Sequence, residues 1–114
     1  MLGFLARRQV IQPREEYYAV MIQLNYDSEF ADRSHAFFSC LYFELTVNFG
    51  FNFVDRVFYR VDTKESIASL LTAAVKVIMM QQRLTRADVN NLIKHALIIP
   101  LKQFDDVKGE ICGF

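Results

Sequence analysis

The stretch from Phe49 to Asp62 constrains the fold of this chain more than any other part of the sequence. Gly50 is suited to ending a helix, and a turn-sized break follows at Asp55-Arg56. From Val57 to Asp62 the residues then alternate between two sides and are rich in Val, Phe and Tyr, which is typical of a half-buried strand. The stretch therefore predicts a β-hairpin. Because a lone hairpin is marginal in water, the apolar segments before and after it must cover it.

The segment before the hairpin predicts a strand and a helix. Tyr17–Asn25 alternates with apolar residues on both sides, which is typical of a central strand. The face expected to meet the helices carries Tyr18, Val20, Ile22 and Leu24. A helix is expected over Glu29–Phe49, and we expect one apolar stripe of it to pack against the sheet, formed by Phe38, Leu41, Tyr42, Leu45 and Phe49. Phe37, Cys40 and Phe43 fall partly outside that stripe, which indicates burial on more than one side.

The segment after the hairpin predicts two helices and a last strand. Thr63 is a suitable N-cap for a helix that runs to about Gln82. Thr85 and Asp88 have the spacing of a capping box, and they begin a shorter helix whose apolar positions are Val89, Leu92, Ile93 and Ala96. The last strand is expected from Leu97 to Phe104, and Pro100 within it favours an edge position.

This order of elements predicts an α+β fold, a ferredoxin-like βαββαβ sandwich with an extra short helix before the last strand. Residues 17–114 would form a single domain, preceded by an N-terminal arm over residues 1–16, where Pro13 interrupts any helical period. In that topology the first strand is central and the last strand lies at an edge.

Composition limits the classes of partner. The chain has 114 residues, of which 53% are hydrophobic, yet no apolar run reaches the ~18 residues of a membrane span, so we expect no membrane partner. Apolar surface beyond what one small core can hide predicts a homodimer. Thirteen basic and thirteen acidic residues cancel, so any contact with RNA would have to be local. Two cysteines, and two histidines without metal-ligand spacing, indicate a reduced cytoplasmic protein with no metal site or cofactor.

Several short stretches of the sequence together resemble the virulence-associated protein D (VapD) family of small ferredoxin-like proteins. The match lies in their order and spacing along most of the chain, at Tyr18-Ala19, Phe49-Gly50-Phe51, Tyr59, Ile67-Ala68, Leu70-Leu71 and Gln103-Phe104-Asp105-Asp106. The resemblance implies a dimeric endoribonuclease of the toxin-antitoxin or mobile-element type, which is related to the small CRISPR-associated integration subunit. If the protein is catalytic, a divalent metal is expected to take part.

The chain departs from the family at the residues that would do chemistry. The family's acid at the end of the first strand corresponds to Gln23, which can neither take up a proton nor bind a cation as a carboxylate does. Asp27 is the candidate for a displaced catalytic acid, although an Asp beside Ser28 is also typical of a turn before a helix. The family's glycine at the hairpin turn is replaced by Asp55-Arg56.

Two functions follow as competing hypotheses. In a ribonuclease, Arg56, Arg60 and Lys64 would contact RNA phosphates and Tyr59 would stack on a base, although a solvated rim and a packing tyrosine explain the same residues. The alternative is a non-catalytic dimeric binding module that kept the scaffold, either antitoxin-like or a phage or plasmid-borne inhibitor of a host protein. Replacement of the acid by Gln23 and the added arm favour this second hypothesis.

Overall fold

The computed structural model of this chain describes residues 17–100. The predicted arm over residues 1–16 and the end of the predicted domain, residues 101–114, lie outside the described residues. The described part is an α+β structure in which an antiparallel sheet of four strands is combined with three α-helices. None of its helices has the length and apolar character needed to cross a membrane.

The elements follow one another in the order strand, helix, hairpin, helix, short helix, strand. The strands are β1 (Tyr17–Leu24), β2 (Asn52–Val54), β3 (Val57–Val61) and β4 (Ile93–Pro100). The helices are α1 (Ala31–Phe43), α2 (Lys64–Gln82) and α3 (Arg86–Leu92), and a π-helical turn (Glu44–Asn48) extends α1.

The strand order is β2-β3-β1-β4, so β1 is central and β4 is an edge strand, as the sequence predicts. Ala19 opposes Tyr59 of β3 and Ile99 of β4, which fixes the register on both sides of β1. The register shifts between Gln23 and Leu24, where a β-bulge brings Leu24 opposite Ile93. Pro100 is the last residue of β4, at an edge of the described sheet, which is a position where proline is tolerated.

One face of the sheet packs against the helices and forms the main core. Val20, Leu24 and Phe58 from the sheet are buried in one cluster with Leu41, Leu45, Ile67, Ile78 and Leu92 from the helical segments. The face of β1 that carries Tyr18, Val20, Ile22 and Leu24 is therefore the helix-covered face, as the alternation predicts.

The opposite face of the sheet, which we call the open face, carries the alternate residues of each strand. The strand register places on it the apolar residues Ala19, Met21, Val54, Val57, Tyr59, Val61, Leu97 and Ile99. Ala19 and Val57 are fully buried there among Met21, Tyr59 and Ile99, and none of the three described helices contributes a residue to this small cluster.

The helix predicted over roughly Glu29–Phe49 lies close to the observed helical segment, although its last turn is not α-helical. The observed segment begins at Ala31, and from Glu44 it widens into the π-helical turn, in which the Phe49 N–H donates to the Glu44 carbonyl at 3.2 Å. Gly50 follows with a φ of 72°, which confirms its role as the left-handed residue after the helical segment.

The buried side of α1 also differs from the predicted stripe. Tyr42 is substantially exposed, although its ring still packs against that of Phe53 at 5.3 Å. Phe37, predicted to fall outside the stripe, is buried in the core cluster with residues of α2 and α3. The second apolar side of α1 is thus partly buried within the chain itself, while Tyr42, Phe43 and Val47 are exposed on this segment.

The last strand begins earlier than predicted, and α3 is correspondingly shorter. The helix starts at a complete capping box between Thr85 and Asp88, as expected, but it ends at Leu92 instead of reaching Ala96. Ile93 begins β4 and pairs with Leu24 of β1. Its β-branched side chain favours a strand over a continued helix. The predicted end of the strand at Phe104 lies outside the described residues.

Candidate functional site

The end of β1 brings together most of the polar residues on which the candidate site depends. Gln23 lies opposite His95 of β4, and both residues are exposed at the end of the open face. In the sequence His95 stands alone, because its partner is more than seventy positions away and no local pattern links the two. The antiparallel pairing alone makes them neighbours.

Asn25 fixes the path of the chain after β1. Its backbone N–H donates to the Leu92 carbonyl at 2.9 Å, and its side-chain amide donates to the Asn91 carbonyl at 3.2 Å. The buried Ser34 hydroxyl donates to the Asn25 carbonyl. The end of β1 is therefore held by α3 on one side and by α1 on the other, which gives this loop a defined shape.

Asp27 occupies the turn that leads into α1. Its N–H donates to Asn25 Oδ1 at 3.1 Å, and its carbonyl accepts from the Phe30 N–H at 2.7 Å. The side chain is exposed, and the hydrogen bonds that the structure describes for Asp27 are made by its backbone. This geometry is that of an Asx turn, in which a side chain imitates a backbone turn. A catalytic role for Asp27 stays a prediction.

An aromatic pair beside this turn was missed by sequence analysis. The rings of Tyr26 and His35 lie 4.9 Å apart between centroids at an angle of 46°, and Tyr26 is 47% exposed. Tyr26 lies in the loop after β1 and His35 lies in α1, nine positions further on, so only the fold brings their rings together. An exposed ring pair of this kind offers a stacking surface, and the imidazole offers a group that can transfer protons.

An ion pair links α1 and α3 behind the same loop. Arg33 Nη2 lies 3.3 Å from Asp88 Oδ1, and Asp88 also accepts from the Thr85 backbone N–H at 2.8 Å. The hydrogen bond from the Thr85 backbone, then that from the Thr85 hydroxyl, then the Arg33 guanidinium lower the pKa of Asp88 from its usual value. Asp88 therefore has a structural role in the capping box of α3.

The four residues predicted to bind RNA do not share one surface. Arg56 lies in the hairpin turn beyond Val57, close to the Gln23 end of β1, because Val57 continues the register that pairs Phe58 with Val20. Tyr59 lies halfway along the open face beside Ala19. Lys64 is exposed in the first turn of α2, beyond the opposite end of β3.

Arg60 lies on the helix-covered side and already has partners there. Its Nη1 donates to the Phe49 carbonyl, its Nε lies 3.4 Å from Asp62 Oδ2, and its guanidinium stands 5.6 Å from the centre of the Phe51 ring. These contacts join the end of the helical segment to β3, so Arg60 has a clear structural role. Assignment of the four residues to RNA stays a prediction.

One buried carboxylate lies away from the loop that follows β1. Glu44, in the π-helical turn, is buried, and its Oε2 accepts from the Asn48 amide at 3.0 Å. Within residues 17–100, no group of three or more His, Cys, Asp or Glu is arranged to hold a metal ion. Gln23 is not a metal ligand of the carboxylate type in any case.

Comparisons of the chain with protein-family models, with curated proteins and with solved structures found no match.

Proposed function

We propose that this protein is a homodimeric binding module in which the open faces of two copies pack together. The observation that carries the proposal is the exposure of three apolar side chains in three different strands of this face. Val54 is 48% exposed, Val61 is 42% exposed and Leu97 is 49% exposed. Apolar surface spread over a whole sheet face is costly in water and is typical of a surface that associates.

The strand order and the position of the helices support a ferredoxin-like arrangement for the module. The order β2-β3-β1-β4, with antiparallel pairing throughout and the hairpin β2-β3 between the two long helices, is the order that the split βαβ pattern generates. In such a module the helices cover one face and leave the other face for a partner. The resemblance to the VapD family belongs to the same proposal.

Gln23 favours binding over catalysis at the end of this interface. If two open faces pack together, the residues at position 23 and their neighbours at position 95 lie near the margin of the contact. Two carboxylates brought close there would repel each other, whereas glutamine side chains donate and accept hydrogen bonds without charge. The replacement of the family's acid thus fits a protein that associates but does not cleave. Its further partner would be a protein, as in an antitoxin or an inhibitor of a host protein.

Light scattering on the purified protein tests the dimer. We expect a mass near twice 13.3 kDa at micromolar concentration, and Leu97→Glu should shift the protein to the monomer because it places a charge within the interface. Met80→Glu is the matched control, since Met80 is 80% exposed on α2, away from the open face. A parent mass near 13.3 kDa, or equal dissociation by both variants, would refute the dimer through this face.

An endoribonuclease is the second candidate, and the groups gathered after β1 favour it. Tyr26, whose ring packs against that of His35, follows the strand end that carries Gln23 and is next in sequence to Asp27. Histidine and carboxylate groups can act as general base and acid when RNA binds between them. A divalent metal would be needed if the carboxylate acts through a bound cation.

Cleavage of a labelled single-stranded RNA, with and without Mg²⁺, separates the two candidates. We expect no cleavage by the parent, a weaker dimer for Gln23→Asp, and metal-dependent cleavage in that variant if the family chemistry returns. Asp32→Asn is the control, because it changes an exposed carboxylate that lies on α1 and not in the turn of Asp27. Cleavage by the parent that is lost in Asp27→Asn or His35→Ala but kept in Asp32→Asn would establish the enzyme instead. Equal cleavage by every variant would identify a contaminating nuclease.

A further inference from the structure

A groove lies between α2, α3 and the edge strand β4, on the helix-covered side of the sheet. Its volume is about 280 Å³. Apolar side chains from all three elements line it, among them Val75 and Met79 of α2, Val89 of α3 and Ala96 of β4. A space of this size admits one or two side chains, whereas sites for whole small molecules are usually larger.

Two cations stand in the wall of this groove. Lys76 comes from α2 and Arg86 from the first turn of α3. Within residues 17–100 neither of them has a carboxylate within ion-pair distance, because the two ion pairs described there are Arg33–Asp88 and Arg60–Asp62. Two positive charges beside an apolar floor are complementary to a ligand that combines an acidic group with an apolar one.

The strand that forms one side of the groove is at the edge of the sheet. β4 has eight residues and pairs with β1 alone among the described strands, so one row of its backbone groups faces away from the sheet. Such an edge can accept an additional strand through main-chain hydrogen bonds. In that mode of recognition the main chain provides affinity, and pockets for alternate side chains provide specificity.

We propose that an extended acidic segment of a partner protein adds to the edge of β4 that the described strands leave unpaired. Side chains at every second position of this segment face the helix layer. One apolar side chain enters the groove above Ala96, and an acidic side chain near it approaches Lys76 and Arg86. A nucleic acid fits less well because it offers no main chain to pair with β4 and no apolar group for the floor. The site does not use the open face, so it is independent of the proposed dimer.

Fluorescence anisotropy with a short labelled peptide tests the proposal on the full chain. The probe alternates threonine with valine and glutamate, and a matched peptide carries lysine in place of glutamate. We expect a Kd in the range of about 10–100 μM for the acidic peptide and at least about tenfold weaker binding for the basic one. Equal affinity of the two peptides, or no saturable binding of the acidic one, would overturn the proposal.

Three variants connect binding to this groove. Lys76→Glu combined with Arg86→Glu should weaken the acidic peptide about tenfold and strengthen the basic one, because the charge of the wall is reversed. Ala96→Phe should abolish binding of both peptides by filling the groove. Arg83→Glu, an exposed charge reversal outside the groove, should change nothing. Circular dichroism of each variant verifies the fold, and unchanged binding in folded Ala96→Phe would contradict the site.

A competition experiment identifies the occupant. An unlabelled peptide that spans residues 101–114 of this chain, which contains Asp105 and Asp106, is added to the complex with the acidic probe. The proposal expects it to displace the probe no better than the basic peptide does. Strong displacement would mean that the groove serves this chain's own C-terminal segment, and the proposal of a partner protein would be wrong.

Discussion

Phe58 and Tyr59 are neighbours in β3, yet the two faces of the sheet give them different surroundings. Phe58 is almost completely buried, with the rings of Phe53 and Phe38 at 4.7 and 6.2 Å between centroids. Tyr59 points to the open face, where it is only half-buried beside Ala19. Both faces are apolar, but the three described helices cover only one of them.

This difference explains how a small chain can have so high an apolar content. The covered face stabilises the monomer, since burial of apolar area is the main favourable term in folding. The open face adds less to the monomer because several of its side chains remain in contact with water. Its apolar residues stabilise the structure fully only when a second surface covers them, so their effect should depend on association and not only on folding.

The largest expected effect compares the two neighbours directly. Phe58→Ala should lower the free energy of unfolding by about 3–5 kcal/mol, because it leaves a cavity among packed rings. Tyr59→Ala should cost about 1–2 kcal/mol at protein concentrations where the monomer dominates, since water already reaches this side chain. Urea denaturation measures both values. Equal losses would mean that the open face is as well buried as the covered one.

Gly50 tests the connection that places the helices on the covered face. A Cβ at this position would meet only Arg60 Nη1, at an ordinary contact distance of 3.8 Å, so the cost of a side chain arises from the φ of 72°. Gly50→Ala should destabilise the protein by about 1–2 kcal/mol. Gly50→Asn is the control and should cost less, because asparagine tolerates the left-handed region. Indistinguishable thermal melts for parent and Gly50→Ala would contradict this geometry.

A substitution in the hairpin turn between β2 and β3 should raise the stability of the protein. Asp55 and Arg56 both have positive φ, of 51° and 70°, as a two-residue type I′ turn requires. Arginine is poorly suited to this region, and glycine is favoured there. Arg56→Gly should therefore raise the free energy of unfolding by about 0.5–1 kcal/mol. Arg56→Lys, which keeps the charge and the strain, should show no gain in the same denaturation experiment.

The smallest expected effect concerns the contacts of Asp88 with Arg33 and Thr85, in the helical layer that covers the sheet. The pKa of Asp88 is lowered by the Thr85 hydrogen bonds and by Arg33, so its ionised form favours the folded state. This contribution is fully present above the pKa of Asp88 in the unfolded chain, about 4, and is lost as the pH falls below that value. Asp88→Asn should be less stable than the parent at pH 7, and the difference should shrink in acid. A difference that stays constant with pH would argue against the charge.

Much of the fold was predictable because its signals are local. The N-caps at Thr63 and Thr85, the positive φ of Gly50 and the turn at Asp55-Arg56 each depend on residues within a few positions of one another. The alternation in β1 also predicted a central strand. Asp27 and Gln23 could be named as candidate site residues from the sequence, although their roles could not be tested by it.

The remaining features depend on contacts between distant parts of the chain. Nothing near His95 in sequence indicates that it faces Gln23, and nothing near Tyr26 indicates that His35 packs on its ring. β4 starts at Ile93 because Ile93 pairs with Leu24. The helical spacing of the apolar residues around Ile93 predicted a longer helix instead. The candidate site was therefore recognised only in part.

The sequence by itself determined the order of the elements, their caps and turns, and the presence of apolar residues on both sides of β1. Tertiary structure alone decided that Phe37 is buried within the chain, and that Lys76 and Arg86 line one groove. The physical reason is the range of the interactions. Caps and periodicities are set by neighbours in sequence, whereas strand register and helix packing depend on the burial of surfaces that come together only when the chain folds.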